Sequence, residues 1–231
     1  RITVIFLLAF FVIFFWGAFE QAGASLTLFA DRQTERTIFG WEMPASYFQS
    51  VNPLAVISLA PIMTIVWGFL YARKLEPSSP KKMAIGLGLV ALGYVVIAIA
   101  VKGLGLGEKV SMWWLIGLYV IHTIGELCLS PIGLSMVSKL APLRLSSLMM
   151  GTWFLANAAA NKFAGTLSAL IPGGEDGTGG ATSFIGFQIT NLYEFFILFI
   201  IMSGAAAAIL FVLSSWLEKR MHNDHIEGQT E

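Results

Sequence analysis

The chain has 231 residues, 56% of them hydrophobic and 12% charged, and its mean hydropathy is +0.75. That is too apolar for a soluble domain of this length and fits a polytopic membrane protein. A formal net charge of zero gives no basis for a nucleic-acid partner, and the single cysteine, Cys128, excludes an internal disulfide and any cysteine-rich metal site.

Six apolar runs follow along the chain, at about 2–30, 47–72, 83–101, 112–138, 146–170 and 190–217, each near or above the ~20 residues that a helical span requires. None has the period-two alternation of a membrane barrel. The expected fold is therefore all-α: a six-helix transmembrane bundle over residues 1–221 and a tail over 222–231. The connections carry the expected breakers: Gly40 and Pro44, Pro77 and Pro80, Gly103, Gly105 and Gly107, Pro142, and then Pro172, Gly173, Gly174, Gly177 and Gly180. The chain opens on an arginine, and its first run is too long for a signal-peptide core and carries Glu20 and Gln21. It reads as a retained span, and the missing methionine leads us to expect that it starts inside a longer protein.

Lysine and arginine set the orientation. One set of alternate ends holds Arg1, Arg73, Lys74, Lys81, Lys82, Lys139, Arg144, Lys219 and Arg220; the other holds Arg32, Arg36, Lys102 and Lys109. The positive-inside rule makes the first set, and with it both ends of the chain, cytoplasmic. Glu175 and Asp176 in the last outer connection agree with this.

In the first span Trp16, Glu20, Gly23 and Thr27 recur at helical spacing, so one aromatic, acidic and small face is expected to look into a cavity. Asn52 precedes Pro53 in the second span, and Gly86 and Gly88 make a small face for close packing in the third. The fourth carries the most informative residue, Glu126. At 1.5 Å of rise per residue it lies roughly 20 Å from either end of its run, near the middle of a ~30 Å hydrocarbon core. An acid at that depth costs about 2.5–3.5 kcal/mol on insertion scales and by default marks a substrate or proton path. Ser130 lies one turn on and His122 one turn back on the same face; Pro131 removes a backbone donor there. Packing or hydrogen bonding is the leading role for His122. In the fifth span Met150, Trp153, Asn157 and Asn161 form a second stripe, with Lys162 near its outer end. Trp16 and Trp153 lie too deep to be interfacial anchors, a role that suits Trp41, Trp113, Trp114 and Trp216. No metal-ligand cluster or nucleophile and base pair is visible in the spans, which argues against an enzyme and against a bound cofactor.

Five stretches carry a resemblance. Phe15–Trp16–Gly17–Ala18–Phe19–Glu20–Gln21 with Leu28–Phe29–Ala30, then Val51–Asn52–Pro53, then Gly125–Glu126–Leu127–Cys128–Leu129–Ser130–Pro131–Ile132–Gly133–Leu134, then Gly151–Thr152–Trp153–Phe154 and Asn161–Lys162–Phe163–Ala164–Gly165 resemble the proton-dependent oligopeptide transporters of the major facilitator superfamily. Their order matches helices seven to twelve of that family. The resemblance implies a carboxy-terminal six-helix half whose amino-terminal six-helix partner is absent from this sequence, proton-coupled symport of di- and tripeptides, protons as the coupling ion, and a bacterial inner membrane. It implies that Glu126 takes the peptide ammonium, with Ser130 orienting that carboxylate or bonding the peptide. Asn52 would bond peptide backbone groups, and Trp16 and Trp153 would wall the pocket. Glu20 would couple an outer gate to the proton through an arginine on the absent half, and Leu134 with Met150 would close the inner side. Two alternatives stand beside this reading: another carrier of the same fold, for nitrate or drugs, and a membrane scaffold whose buried acids only hold helices together.

Overall fold

The computed structural model describes residues 1–104, 108–172, 182–184 and 186–222. Six long helices are connected in an up-and-down order. The first is broken in two: α1 (Ile2–Phe19) passes through a 3-10 turn at Glu20–Gly23 into α2 (Ser25–Gln33). Then come α3 (Val51–Ala72), α4 (Ser79–Val101), α5 (Met112–Leu140), α6 (Ser146–Ser168) and α7 (Leu192–His222). Among the described residues, five spans are long and apolar enough to cross a membrane. α6 has the length but is diluted by Asn157, Asn161 and Lys162. The chain is a multi-pass membrane protein.

The six expected runs are thus six helices, with two differences. The connections after α2, before α5 and before α7 hold short strands that hydropathy does not reveal. β1 (Thr34–Glu35) and β4 (Val110–Ser111) pair in parallel, while β2 (Thr37–Ile38) pairs with β3 (Trp41–Glu42) and β5 (Thr182–Phe184) with β6 (Phe187–Ile189) as hairpins. Phe39 and Gly40, at φ +49° and +83°, make the two-residue turn between β2 and β3 that matches strand twist. The parallel pair also ties the connection after α2 to the one before α5, so both lie at the same end of the bundle. Gly105, Gly107, Gly173, Gly174, Glu175, Asp176, Gly177, Gly180 and the tail from residue 223 on lie outside the described residues.

The second difference is the break in the first helix. A helix interrupted in lipid leaves carbonyls that something else must bond. Here the Tyr94 hydroxyl of α4 donates to Ala18 O at 2.7 Å, the Tyr119 hydroxyl of α5 to Ala22 O at 3.2 Å, and Thr27 Oγ1 also to Ala22 O at 2.8 Å. Gln21, fully buried, donates to Gly17 O at 3.1 Å and Ala164 O at 3.0 Å and accepts from Ser25 Oγ at 2.6 Å, pinning the turn to α6.

Small residues bring the central helices together. α4 lies between α5 and α7, and a Cβ on Gly86 would sit 2.7 Å from Gly125 O, the reverse approach being 2.8 Å. Gly88 faces Ala207. α1 packs along α6 and α7, and the buried rings of Phe195, Phe196, Phe199 and Tyr94 fill the space beside α4. α3 differs from the rest: it packs chiefly along α5, and none of its residues is buried.

Candidate functional site

The site is built where α3 meets α5. Glu126 is half-buried on α5, and its Oε2 accepts from Asn52 Nδ2 at 2.9 Å. Asn52 sits in the first turn of α3, ahead of Pro53, and its Nδ2 also donates to Thr123 Oγ1 at 3.0 Å. Thr123 is fully buried and donates in turn to Tyr119 O at 2.8 Å. The Asn52 amide of α3 therefore donates both ways, to the carboxylate and to an α5 hydroxyl that in turn donates to a backbone carbonyl of α5. The buried carboxylate has a hydrogen-bond partner but no cation among the described residues.

Glu20 lies in the 3-10 turn and is exposed, near enough to Glu126 for the two carboxylates to repel each other. It makes no hydrogen bond or ion pair among the described residues. Because the helix breaks at Glu20, the regular spacing expected to carry Trp16, Glu20, Gly23 and Thr27 along one face stops there. Thr27 belongs to α2, and its hydroxyl accepts from Gln49 Nε2 at 3.1 Å while closing the turn.

The other expected site residues fall into two groups. Trp16 is half-buried, with its ring edge-on to Phe15 and Phe19 at 5.3 and 5.2 Å. Ser130 is also half-buried but makes no hydrogen bond to Glu126; the orientation of that carboxylate falls to Asn52 instead. Leu134 is 37% exposed, two turns beyond Glu126, while Met150 is half-buried against the core. Trp153 is only 3% exposed. It fills the space left by Gly133, where a Cβ would lie 2.4 Å from the ring, so most of the indole is a packing element between α5 and α6. His122 is buried too, its Nε2 3.1 Å from Val90 O, between Tyr94 and Phe19 and over Gly93. Of the α6 stripe, Asn161 and Lys162 are exposed, and Asn157 Oδ1 is buried with no partner among the described residues.

Three features escape the sequence reading. Thr123 stands one turn before Glu126, a spacing that could have flagged it. Gln21, next to Glu20, is the buried residue of the pair. Lys82, counted as a surface charge, is buried in an ion pair with Glu76 and lies 4.5 Å from the Trp67 ring centroid. This pair borders a cavity of about 660 Å³ farther along the α3 and α5 seam, lined also by Met63, Pro131 and Lys139.

Comparison with known proteins then places this geometry. The family profile PTR2, described as "POT family", matches residues 1–179. Peptide transporter YePEPT of Yersinia enterocolitica is 41% identical over 173 residues, covering 74% of this chain and 34% of that protein. Dipeptide and tripeptide permease A of Proteus mirabilis is 34% identical over 176 residues, covering 76% and 36%. Among solved structures, a peptide transporter POT in complex with sulfate superposes with a TM-score of 0.77 at 31% identity, covering 95% of this chain and 40% of that one. A POT family transporter in complex with 5-aminolevulinic acid gives a TM-score of 0.76 at 32% identity, covering 93% and 41%. The chain therefore spans about a third to two fifths of the length of the relatives it matches.

Proposed function

Because the chain belongs to the POT family, we propose that it forms the carboxy-terminal half, helices seven to twelve, of a proton-coupled symporter of di- and tripeptides in a bacterial inner membrane, with both chain ends cytoplasmic. The observation that carries the reading is the Glu126 carboxylate midway along α5, held by Asn52, which is itself anchored on Thr123, with one oxygen unspent among the described residues. A fixed anion in a low-dielectric cavity suits the ammonium end of a peptide. Asn52 and Ser130 would meet polar groups that every peptide shares, and Trp16 would cover side chains without reading their order, while Trp153, packed on Gly133, would brace the wall from within the bundle. Leu134 and Met150 would narrow the inner side against the amino-terminal six-helix bundle.

A scaffold is the rival reading. It calls for the acids to be paired within the bundle or with a partner; the match of the chain to peptide transporters favours transport instead. Glu20 would close the outer side with an arginine of the amino-terminal half, and its protonation would release that closure. The decisive measurement is uptake of labelled dipeptide by the full-length protein in proteoliposomes, with and without an inward proton gradient. Glu126→Gln is expected to weaken binding of free-amino peptides by about 30-fold or more, the scale of breaking a buried charge pair, and to leave amino-blocked analogues nearly unchanged. Equal losses for both substrates would remove Glu126 from the ammonium site; no uptake by the wild type would sink the transport reading.

A further inference from the structure

We infer that Thr123 is a positioning residue that turns the Asn52 amide so that two acceptors, Asn52 Oδ1 and the second oxygen of Glu126, face a single donor group of the substrate. The inference rests on the proposed assignment of Glu126 to the ammonium end. Donor hydrogens decide how the amide is turned. The Thr123 hydroxyl has one, and it is committed to Tyr119 O at 2.8 Å. Toward Asn52 that oxygen can only accept. The group facing it at 3.0 Å must then be the NH₂ of the amide, since a carbonyl there would set two acceptors against each other.

The second amide hydrogen goes to Glu126 Oε2 at 2.9 Å. Both donors of Asn52 are thereby spent, and two anchors on different atoms fix the plane of the amide. Among the described residues, nothing bonds Asn52 Oδ1 or the other carboxylate oxygen. What remains, among the described residues, is a pair of acceptors without a hydrogen bond. An ammonium, which has three hydrogens and no lone pair, matches such a pair; a carboxylate or carbonyl end finds only repulsion. Thr123 touches neither substrate nor cavity, being fully buried, and it acts through Asn52. With the hydroxyl removed, the amide keeps one anchor, swings about its Cβ–Cγ bond, and can turn a freed N–H toward the cation.

The test uses the full-length transporter with alanyl-alanine as substrate. Thr123→Val keeps the shape of the side chain and deletes the hydroxyl. It is expected to raise KM roughly fivefold to tenfold, the weight of one hydrogen bond, with kcat held. Thr123→Ser should restore the wild-type KM, and Thr123→Val should add nothing in an Asn52→Ala background. KM does not depend on how much protein folds, and Thr123→Ala carries the same test if the valine variant is not produced. A wild-type KM in Thr123→Val, or a further loss of the same size on top of Asn52→Ala, overturns the inference. If Glu126→Gln removes the preference for free-amino peptides while Thr123→Val leaves KM alone, only the role of Thr123 falls. If Glu126→Gln leaves that preference intact, the ammonium site falls and takes Thr123 with it.

Discussion

Glu126 and Glu20 lie near each other on adjoining elements, and they are held in opposite ways. Around Glu126 the backbone is regular: α5 runs unbroken from Met112 to Leu140, through Pro131, and the acid is fixed by Asn52 of α3, which Thr123 of α5 anchors in turn. Around Glu20 the side chain is unheld while the backbone is heavily pinned, by Gln21, Tyr94 and Tyr119. One region fixes a carboxylate, and the other fixes a bend that carries a carboxylate. The first arrangement suits a binding group whose geometry must persist. The second suits a group whose partner comes and goes, because nothing within the described residues competes for it.

The largest expected effect breaks this comparison at its weaker side. In the full-length protein, Glu20→Gln should abolish proton-driven accumulation of dipeptide while counterflow, which needs no net proton movement, survives in part. The paired acids then divide the labour, with Glu126 setting affinity and Glu20 setting coupling. If Glu20→Gln still concentrates peptide at the wild-type level, the division is wrong and the coupling group lies elsewhere in the protein. A static bridge predicts a third pattern, equal loss of counterflow and accumulation along with lower stability.

The next effect concerns the bend itself. Gln21→Leu keeps the bulk of the side chain but leaves Ala164 O and the Ser25 hydroxyl without their buried partner. Stranding such groups costs about 1–3 kcal/mol, so thermal unfolding in detergent should shift clearly downward, with the KM for dipeptide little changed. A Tm equal to that of the wild type would mean that the tyrosine hydroxyls hold the bend unaided.

These two regions were also unequally legible in the sequence. Glu126 stood out because a lone acid in an apolar run is costly in lipid whatever surrounds it. Asn52 could be suspected as a polar residue inside an apolar run, but its bond to Glu126 joins residues 74 apart and depends on how α3 lies on α5. The break at Glu20 was hidden for a related reason: no proline marks it, and the acceptors it exposes are satisfied by Tyr94 and Tyr119, which read as ordinary aromatic residues of other spans. Trp153 shows the converse. Depth suggested a free pocket wall, whereas Gly133 on the facing helix makes room for the ring and turns it into packing. Span positions follow from hydropathy, which is local; partners do not.

The smallest effect tests whether the two regions communicate. Tyr119 is where they meet, for its hydroxyl donates to Ala22 O in the bend while its backbone carbonyl accepts from Thr123, the first link of the chain that ends on Glu126. Tyr119→Phe deletes the first bond and keeps the second. Interhelical hydrogen bonds in membranes average about 0.6 kcal/mol and reach about 1.7, and the 3.2 Å length of this one argues for the lower part of that range. The expected outcome is a small fall in Tm, less than for Gln21→Leu, and an unchanged KM for alanyl-alanine, because the carbonyl under Thr123 stays where it was. Thr123→Val should do the reverse, raising KM with little change in Tm. A Tyr119→Phe variant whose KM rises with that of Thr123→Val would mean that movement of the bend reaches the carboxylate through α5, so that the two acids respond as one unit and the contrast between a fixed site and a free one no longer holds.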